Sequence, residues 1–254
     1  MFGITENGDA SIDYTWVDKL NEVDGAILIT KKLTDKFCEK VLEHIDENII
    51  IHASCTGYGK TVLEPNLYTY QETIQKIKGL INSGFPSERI VLRVDPIIPT
   101  EKGIRIFQDV IKYSREIIPD VHRIRISVID MYPHVRQRFL DNDLPCPYGN
   151  NFQANKSMFL DLNKKIEELK EKYPELSFES CAETNIPAAS AVGCVSVKDY
   201  EILGLEKPDE SKKGQRKNCL CLGDKKDLLK YQYQKTGYNH CYGCLYCYWK
   251  TELD

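Results

Sequence analysis

Apolar residues follow two alternating rhythms along this chain. Unbroken apolar runs of strand length are Phe2-Gly3-Ile4-Thr5, Ala26-Ile27-Leu28-Ile29-Thr30 and Ile49-Ile50-Ile51-His52-Ala53-Ser54-Cys55. They continue with Ile90-Val91-Leu92-Arg93-Val94, Arg123-Ile124-Arg125-Ile126-Ser127-Val128-Ile129 and Leu176-Ser177-Phe178-Glu179-Ser180-Cys181. The most continuous of them suit strands buried on both faces, as in parallel sheets. Between the runs, apolar residues recur at helical spacing: Trp16, Val17 and Leu20, then Phe37, Val41, Leu42 and Ile45 behind a Thr34-Asp35 N-cap. Further helices follow at Ile74, Ile77 and Ile81, closed by Gly84, and at Ile104, Phe107, Ile111 and Ile118, ended by Pro119. The longest has Phe159, Leu162, Ile166, Leu169 and Tyr173 before Pro174.

Strands alternating with helices predict a parallel α/β sheet built from βαβ units. Six strands are too few for an eight-fold barrel. The expected fold is therefore a partial (β/α)6 TIM-like barrel with a C-terminal cysteine-rich tail folded onto it. Periodicity fades from Pro187, so the expected domains are the barrel at 1–186 and the tail at 187–254. Chemistry in such barrels sits at the C-terminal ends of the strands. Cys55, Asp95, Asp130 and Glu183 fall there.

Composition narrows the picture. The chain has 254 residues, 42% hydrophobic and 28% charged, with a net charge of −4. That is enough for a core, and too acidic to coat nucleic acid by charge alone. No apolar run approaches the ~18 residues a membrane span needs, and the N-terminus lacks a signal-peptide pattern. A cytoplasmic protein with no membrane partner is expected. In a reducing compartment its ten cysteines read as metal ligands and buried thiols.

Cys241, Cys244 and Cys247 are separated by two residues each. One loop can aim all three sulfurs at a single iron–sulfur or zinc centre. Three ligands on a four-iron cube leave one iron free. Cys181, Cys194, Cys219 and Cys221 form a second constellation, a complete ligand set for a closed 4Fe–4S cluster or zinc, or else buried free thiols. Cys38 reads as core, and Cys146 has no evident partner. His52 reads as a satisfied core histidine, and His240 as a further ligand candidate beside Cys241. Tyr231, Tyr233, Tyr238, Tyr242, Tyr246 and Tyr248 crowd the tail, to pack the cluster loop or stack on a base.

Cys244-Leu245-Tyr246-Cys247 matches half of the signature of radical S-adenosylmethionine (SAM) enzymes, although that signature has three residues between its first two cysteines. The chain as a whole resembles a mainly bacterial family known only as a domain of unknown function, with radical-SAM-like cysteines at its C-terminus and a distant similarity to spore photoproduct lyase. The resemblance rests on Thr56-Gly57-Tyr58-Gly59-Lys60, Leu63-Glu64-Pro65, Arg93-Val94-Asp95-Pro96-Ile97 and Cys181-Ala182-Glu183. It continues with Cys194, Gln215-Arg216, Cys219, Cys221 and Gly243-Cys244-Leu245-Tyr246-Cys247-Tyr248. The family's first strand ends in Ser-Arg-Arg-Thr-Asp, where this chain has Thr5-Glu6-Asn7-Gly8-Asp9. Its Thr-Lys-Asn is here Thr30-Lys31-Lys32.

The resemblance implies a 4Fe–4S cluster that reduces SAM, so that a 5′-deoxyadenosyl radical abstracts hydrogen from a substrate. Tyr246 would lie near the adenine. Arg93 and Asp95 would contact the SAM ribose or carboxylate, unless they form a structural ion pair. Glu183 would hold the SAM amine or a substrate hydroxyl, and Arg125 and Ser127, on one strand face, would line the pocket. An electron donor of reductase or flavodoxin type is implied. Nucleic acid is a candidate substrate, with Arg93, Arg125, Arg136 and Arg138 toward phosphates. The rival expectations are a non-catalytic iron–sulfur or zinc module, serving as redox sensor or scaffold, and an electron carrier.

Overall fold

Six strands form where the apolar runs predict them: β1 (Phe2–Ile4), β2 (Gly25–Thr30), β3 (Ile49–Ser54), β4 (Ile90–Ile97), β5 (Arg123–Val128) and β6 (Ser177–Ser180). The computed structural model describes residues 1–181, 183–207, 220–222, 225–230 and 241–250. It adds two strands that the pattern does not reveal, β7 (Ser190–Ala191) and β8 (Lys225–Asp227). Ser190–Ala191 is exposed and Lys225–Asp227 is Lys-Lys-Asp, so neither carries an apolar run. The segment beyond residue 186 is thus more than an appendage, since it supplies both outer strands of the sheet.

All eight strands run parallel, in the order β7-β6-β5-β4-β3-β2-β1-β8. The sheet is an open version of a TIM-like barrel: β7 and β8 occupy its two edges and share no ladder.

Helices α1 (Trp16–Lys19), α2 (Asp35–Glu43), α3 (Tyr70–Asn82), α4 (Glu101–Ile117), α5 (Pro133–Asp141) and α6 (Lys156–Lys172) pack on the outer core, and α7 (Val197–Leu203) packs on the inner face. Thr34 caps α2 by accepting from the Phe37 amide, as expected, and Thr69 and Glu72 form a capping box on α3. The stretch around Tyr14 to Val23 makes only four residues of α-helix and a 3₁₀ turn. α5 and α7 escape the apolar pattern. The buried face of α5 mixes His134 and Arg138 with Val135 and Phe139, and α7 has only seven residues. Among the described residues no helix is long and apolar enough to cross a membrane.

Side chains alternate across each strand. Ile49, Ile51 and Ala53 of β3 join the large core between sheet and helices, while Ile50 joins a second core on the concave face. That second core holds Phe2, Ile4, Ile27 and Val91, and it is sealed by Tyr200 and Leu203 of α7. The Phe2 and Tyr200 rings meet edge to face at 4.8 Å. Burying each such side chain contributes about 1.5–3 kcal/mol. The mouth at the strand N-termini is therefore plugged, and the opposite mouth is left for chemistry.

Candidate functional site

Above the apolar plug lies a polar layer. Arg123 of β5 donates to Glu179 at 3.0 Å and to Asp199 of α7 at 2.8 Å. Arg125 donates to Glu179 at 2.8 Å and to the Gly193 carbonyl at 2.9 Å. All four charged side chains are buried, and a buried charge persists only when paired in this way. His52, on the same face, is fully buried with both ring nitrogens unpartnered. It is not the satisfied core histidine expected. Burial, then repulsion from Arg125, Arg93 and Arg123, holds its pKa well below the ordinary value.

At the C-terminal ends of the strands a cavity of about 370 Å³ opens. Its wall includes Arg93, Asp95, Ser127, Glu183 and Tyr246 from the expected cofactor residues, and Cys181, Cys194, Cys221, Cys241, Cys244 and Cys247 from the expected ligands. Arg125 is not part of the wall, because Glu179 and Gly193 hold its guanidinium in the layer below. Cys55 is also excluded. One step beyond Ser54, which lines the cavity, it points into the outer core, where burial raises its thiol pKa. Cys219 and His240 lie outside the described residues, as do Ala182, Gln215, Arg216, Tyr231, Tyr233 and Tyr238.

The tail cysteines are held from several directions. The Leu245 amide donates to the Leu63 carbonyl at 3.1 Å, and Asn66 donates to the Tyr242 carbonyl at 3.1 Å. Arg138 of α5 donates to the carbonyls of Cys247 and Trp249, each at 2.6 Å, and His134 donates to that of Tyr248 at 2.8 Å. Arg136 grips the 149–151 loop. Neither arginine is thus positioned as a phosphate contact. Gly243 takes a φ of +72°, the left-handed turn that only glycine adopts freely.

Sequence reasoning gave Lys31, Glu64 and Asp9 no role, although they anchor this loop. Lys31, just past β2, donates from Nζ to Tyr246 Oη at 2.9 Å and to the Asp95 carbonyl at 2.9 Å. Tyr246 in turn donates to buried Glu64. Asp9 accepts from Ser11 Oγ and Thr30 Oγ1 at 2.8 Å and from the Lys31 amide at 2.7 Å. The available signal was the family resemblance, whose compared stretches include Asp9, Lys31 and Glu64 without giving them a role.

The electrostatics divide the wall. Burial pushes the Cys244 thiol up to about 12 and raises Cys241 further. Asp95 is also buried, but Arg93, Lys31 and Ser127 outweigh that and hold its carboxyl below the ordinary value. Glu183 goes the other way, raised by burial against one hydrogen bond from the Val128 amide. On the far side, Cys181 and Cys194 Sγ are 3.8 Å apart, and the Cys194 amide donates to Cys221 Sγ at 3.2 Å. Among the described residues no three His, Cys, Asp or Glu side chains stand ready to hold a metal ion as they are.

Fold and site together define a class: an open parallel α/β barrel whose strand-end cavity is walled by two groups of cysteines. The chain belongs to the family described as Domain of unknown function (DUF1848), whose model matches residues 11–249. No curated protein matches its sequence. Among solved structures, the β-D-glucuronidase of Dictyoglomus thermophilum is similar at 13% identity over 76% of this chain and 36% of that one, with a TM-score of 0.30. The chain spans about a third of that protein's length. A likeness this weak speaks to neither activity nor substrate.

Proposed function

We propose that this chain is a radical-SAM-type enzyme in which Cys241, Cys244 and Cys247 hold a 4Fe–4S cluster and SAM occupies the adjoining cavity. The carrying observation is that these three thiols line the same cavity as Arg93, Asp95, Ser127 and Glu183. Burial raises the thiols of Cys241 and Cys244, and a metal centre is the partner that lets such buried thiols ionise. When bound, a three-thiolate cluster supplies one electron and an open iron to which SAM can attach. The cavity volume suits a ligand of that size.

The chain's own residues then bind and orient. Asp95, kept ionised, is an acceptor for ribose hydroxyls or an ammonium group. Glu183 holds its proton more tightly than an ordinary carboxyl and can exchange it with a bound group. Five carboxylates (Glu6, Asp9, Asp95, Asp130, Glu183) face three cations (Lys31, Arg93, Lys225) in the wall. This balance favours a small neutral or cationic substrate over a polynucleotide, as does the engagement of Arg125, Arg136 and Arg138 elsewhere. An external electron donor of reductase or flavodoxin type completes the scheme.

Anaerobic reconstitution should yield a brown protein whose reduced-state paramagnetic spectrum changes on adding SAM, and Cys247→Ala should abolish that signal. Zinc alone on the tail cysteines, or a spectrum indifferent to SAM, would defeat the reading in favour of a non-catalytic module. Single-stranded DNA should fail to bind even at low salt, where phosphate contacts are strongest.

A further inference from the structure

Among the described residues the barrel has one seam, between β7 and β8, where no strand ladder forms. The second group of cysteines lies across it. Cys181 directly follows β6, Cys194 follows β7, and Cys221 precedes β8. The chain segments on the two sides run against each other: the Leu222 amide donates to the Val195 carbonyl at 3.0 Å. At Gly193 even a Cβ would come within 2.5 Å of the Cys221 backbone and the Leu220 carbonyl.

We propose that Cys181, Cys194 and Cys221 bind a single tetrahedral divalent cation of zinc type, which closes the barrel seam. It is a structural centre separate from that proposed for the tail cysteines. The spacing of one sulfur pair, Cys181 and Cys194, matches one metal better than a cube. Thiolates about 2.3 Å from one tetrahedral ion stand about 3.8 Å from each other, and Cys181 and Cys194 Sγ are 3.8 Å apart. A cube spreads its thiolates over separate irons, further apart.

The surroundings suit an anionic metal–thiolate group. Arg93 and Arg125 each keep a buried Nε–H without a partner. Arg93 lines the same cavity as the three thiols, and Arg125 donates to the Gly193 carbonyl next to Cys194. Such N–H donors are the usual outer partners of a metal–thiolate centre. As they stand, the three thiols fall short of a ligand shell. A cation would displace the protons of all three thiols and take a fourth donor to complete the tetrahedron.

The test uses the full chain and one variant lacking the tail ligands (Cys241→Ser, Cys244→Ser and Cys247→Ser together). Elemental analysis should find one zinc per chain in both. X-ray absorption at the zinc edge should show a sulfur shell near ~2.3 Å. Cys194→Ser should lose the zinc, and adding zinc to metal-stripped protein should raise the melting temperature of the full chain and of the tail variant but not of Cys194→Ser. Should Cys194→Ser fail to fold, the absorption spectrum of the tail variant still decides. Zinc that disappears with the tail cysteines would overturn the proposal. So would iron and sulfide retained in the tail variant, or a metal-free chain two hydrogens lighter through a Cys181–Cys194 disulfide. None of these readouts depends on SAM, so the two centres stand or fall separately.

Discussion

His52 shows how much one inward-facing position costs. On a strand that begins with three isoleucines, it buries an imidazole with no hydrogen-bond partner among three arginines. The folded chain resists protonating it, whereas the unfolded chain takes the proton at about pH 6.5. Below that pH the unfolded state binds more protons, so stability falls as pH falls, by up to about 1.4 kcal/mol per pH unit. His52→Leu removes this liability. Denaturant unfolding at about pH 7.5 and pH 5.5 should show a smaller acid loss in the variant than in the unsubstituted chain. Equal losses would mean that the folded protein protonates His52 after all. Cys55 teaches the complementary lesson. Its place at a strand end suggested chemistry, yet the two-residue alternation sends it into the outer core.

At the scale of elements, the cluster loop depends on α5, whose role the apolar pattern conceals. Arg138 is buried and donates to two carbonyls of the tail. Hydrogen bonds from a charged group are worth about 1.5–3 kcal/mol each. Arg138→Gln should therefore expose the segment around Cys247 to limited proteolysis at least about ten-fold faster, since ~1.4 kcal/mol is one decade. Arg136→Gln, which touches only the 149–151 loop in its described contacts, should leave cleavage there unchanged. Equal effects would remove α5 as the clamp. The same helix explains why two arginines read from sequence as phosphate contacts are unsuited to that task.

For the molecule as a whole, the open seam is the weak line. β3, β4 and β5 are long, centrally placed and ladder-bonded on both sides, whereas β7 and β8 are short edges. Gly193→Ala would force backbone apart where the two edges meet, because the contact is with backbone atoms that cannot rotate away. Hydrogen exchange should then accelerate in residues 190–195, 220–222 and 225–227 while β3 and β4 keep their protection. Uniform loss of protection across the sheet would show that the seam and the central strands open as one unit.

The sequence by itself determined six of the eight strands, most of the helices and the candidate ligands. Burial on both faces demands unbroken apolar runs, and thiolate spacing within a loop is a local property. It also named Arg93, Asp95, Ser127 and Glu183, because polar residues at strand ends stand out against apolar neighbours. Only the tertiary structure decided which of them share a cavity. Arg125 and Ser127 sit on one strand face two residues apart, yet Glu179 and Gly193 hold the first in the layer below while the second reaches the cavity. The edge strands, the α5 clamp and the Lys31–Tyr246–Glu64 anchor were hidden for the same reason: they join residues far apart in the chain through contacts that leave no local pattern.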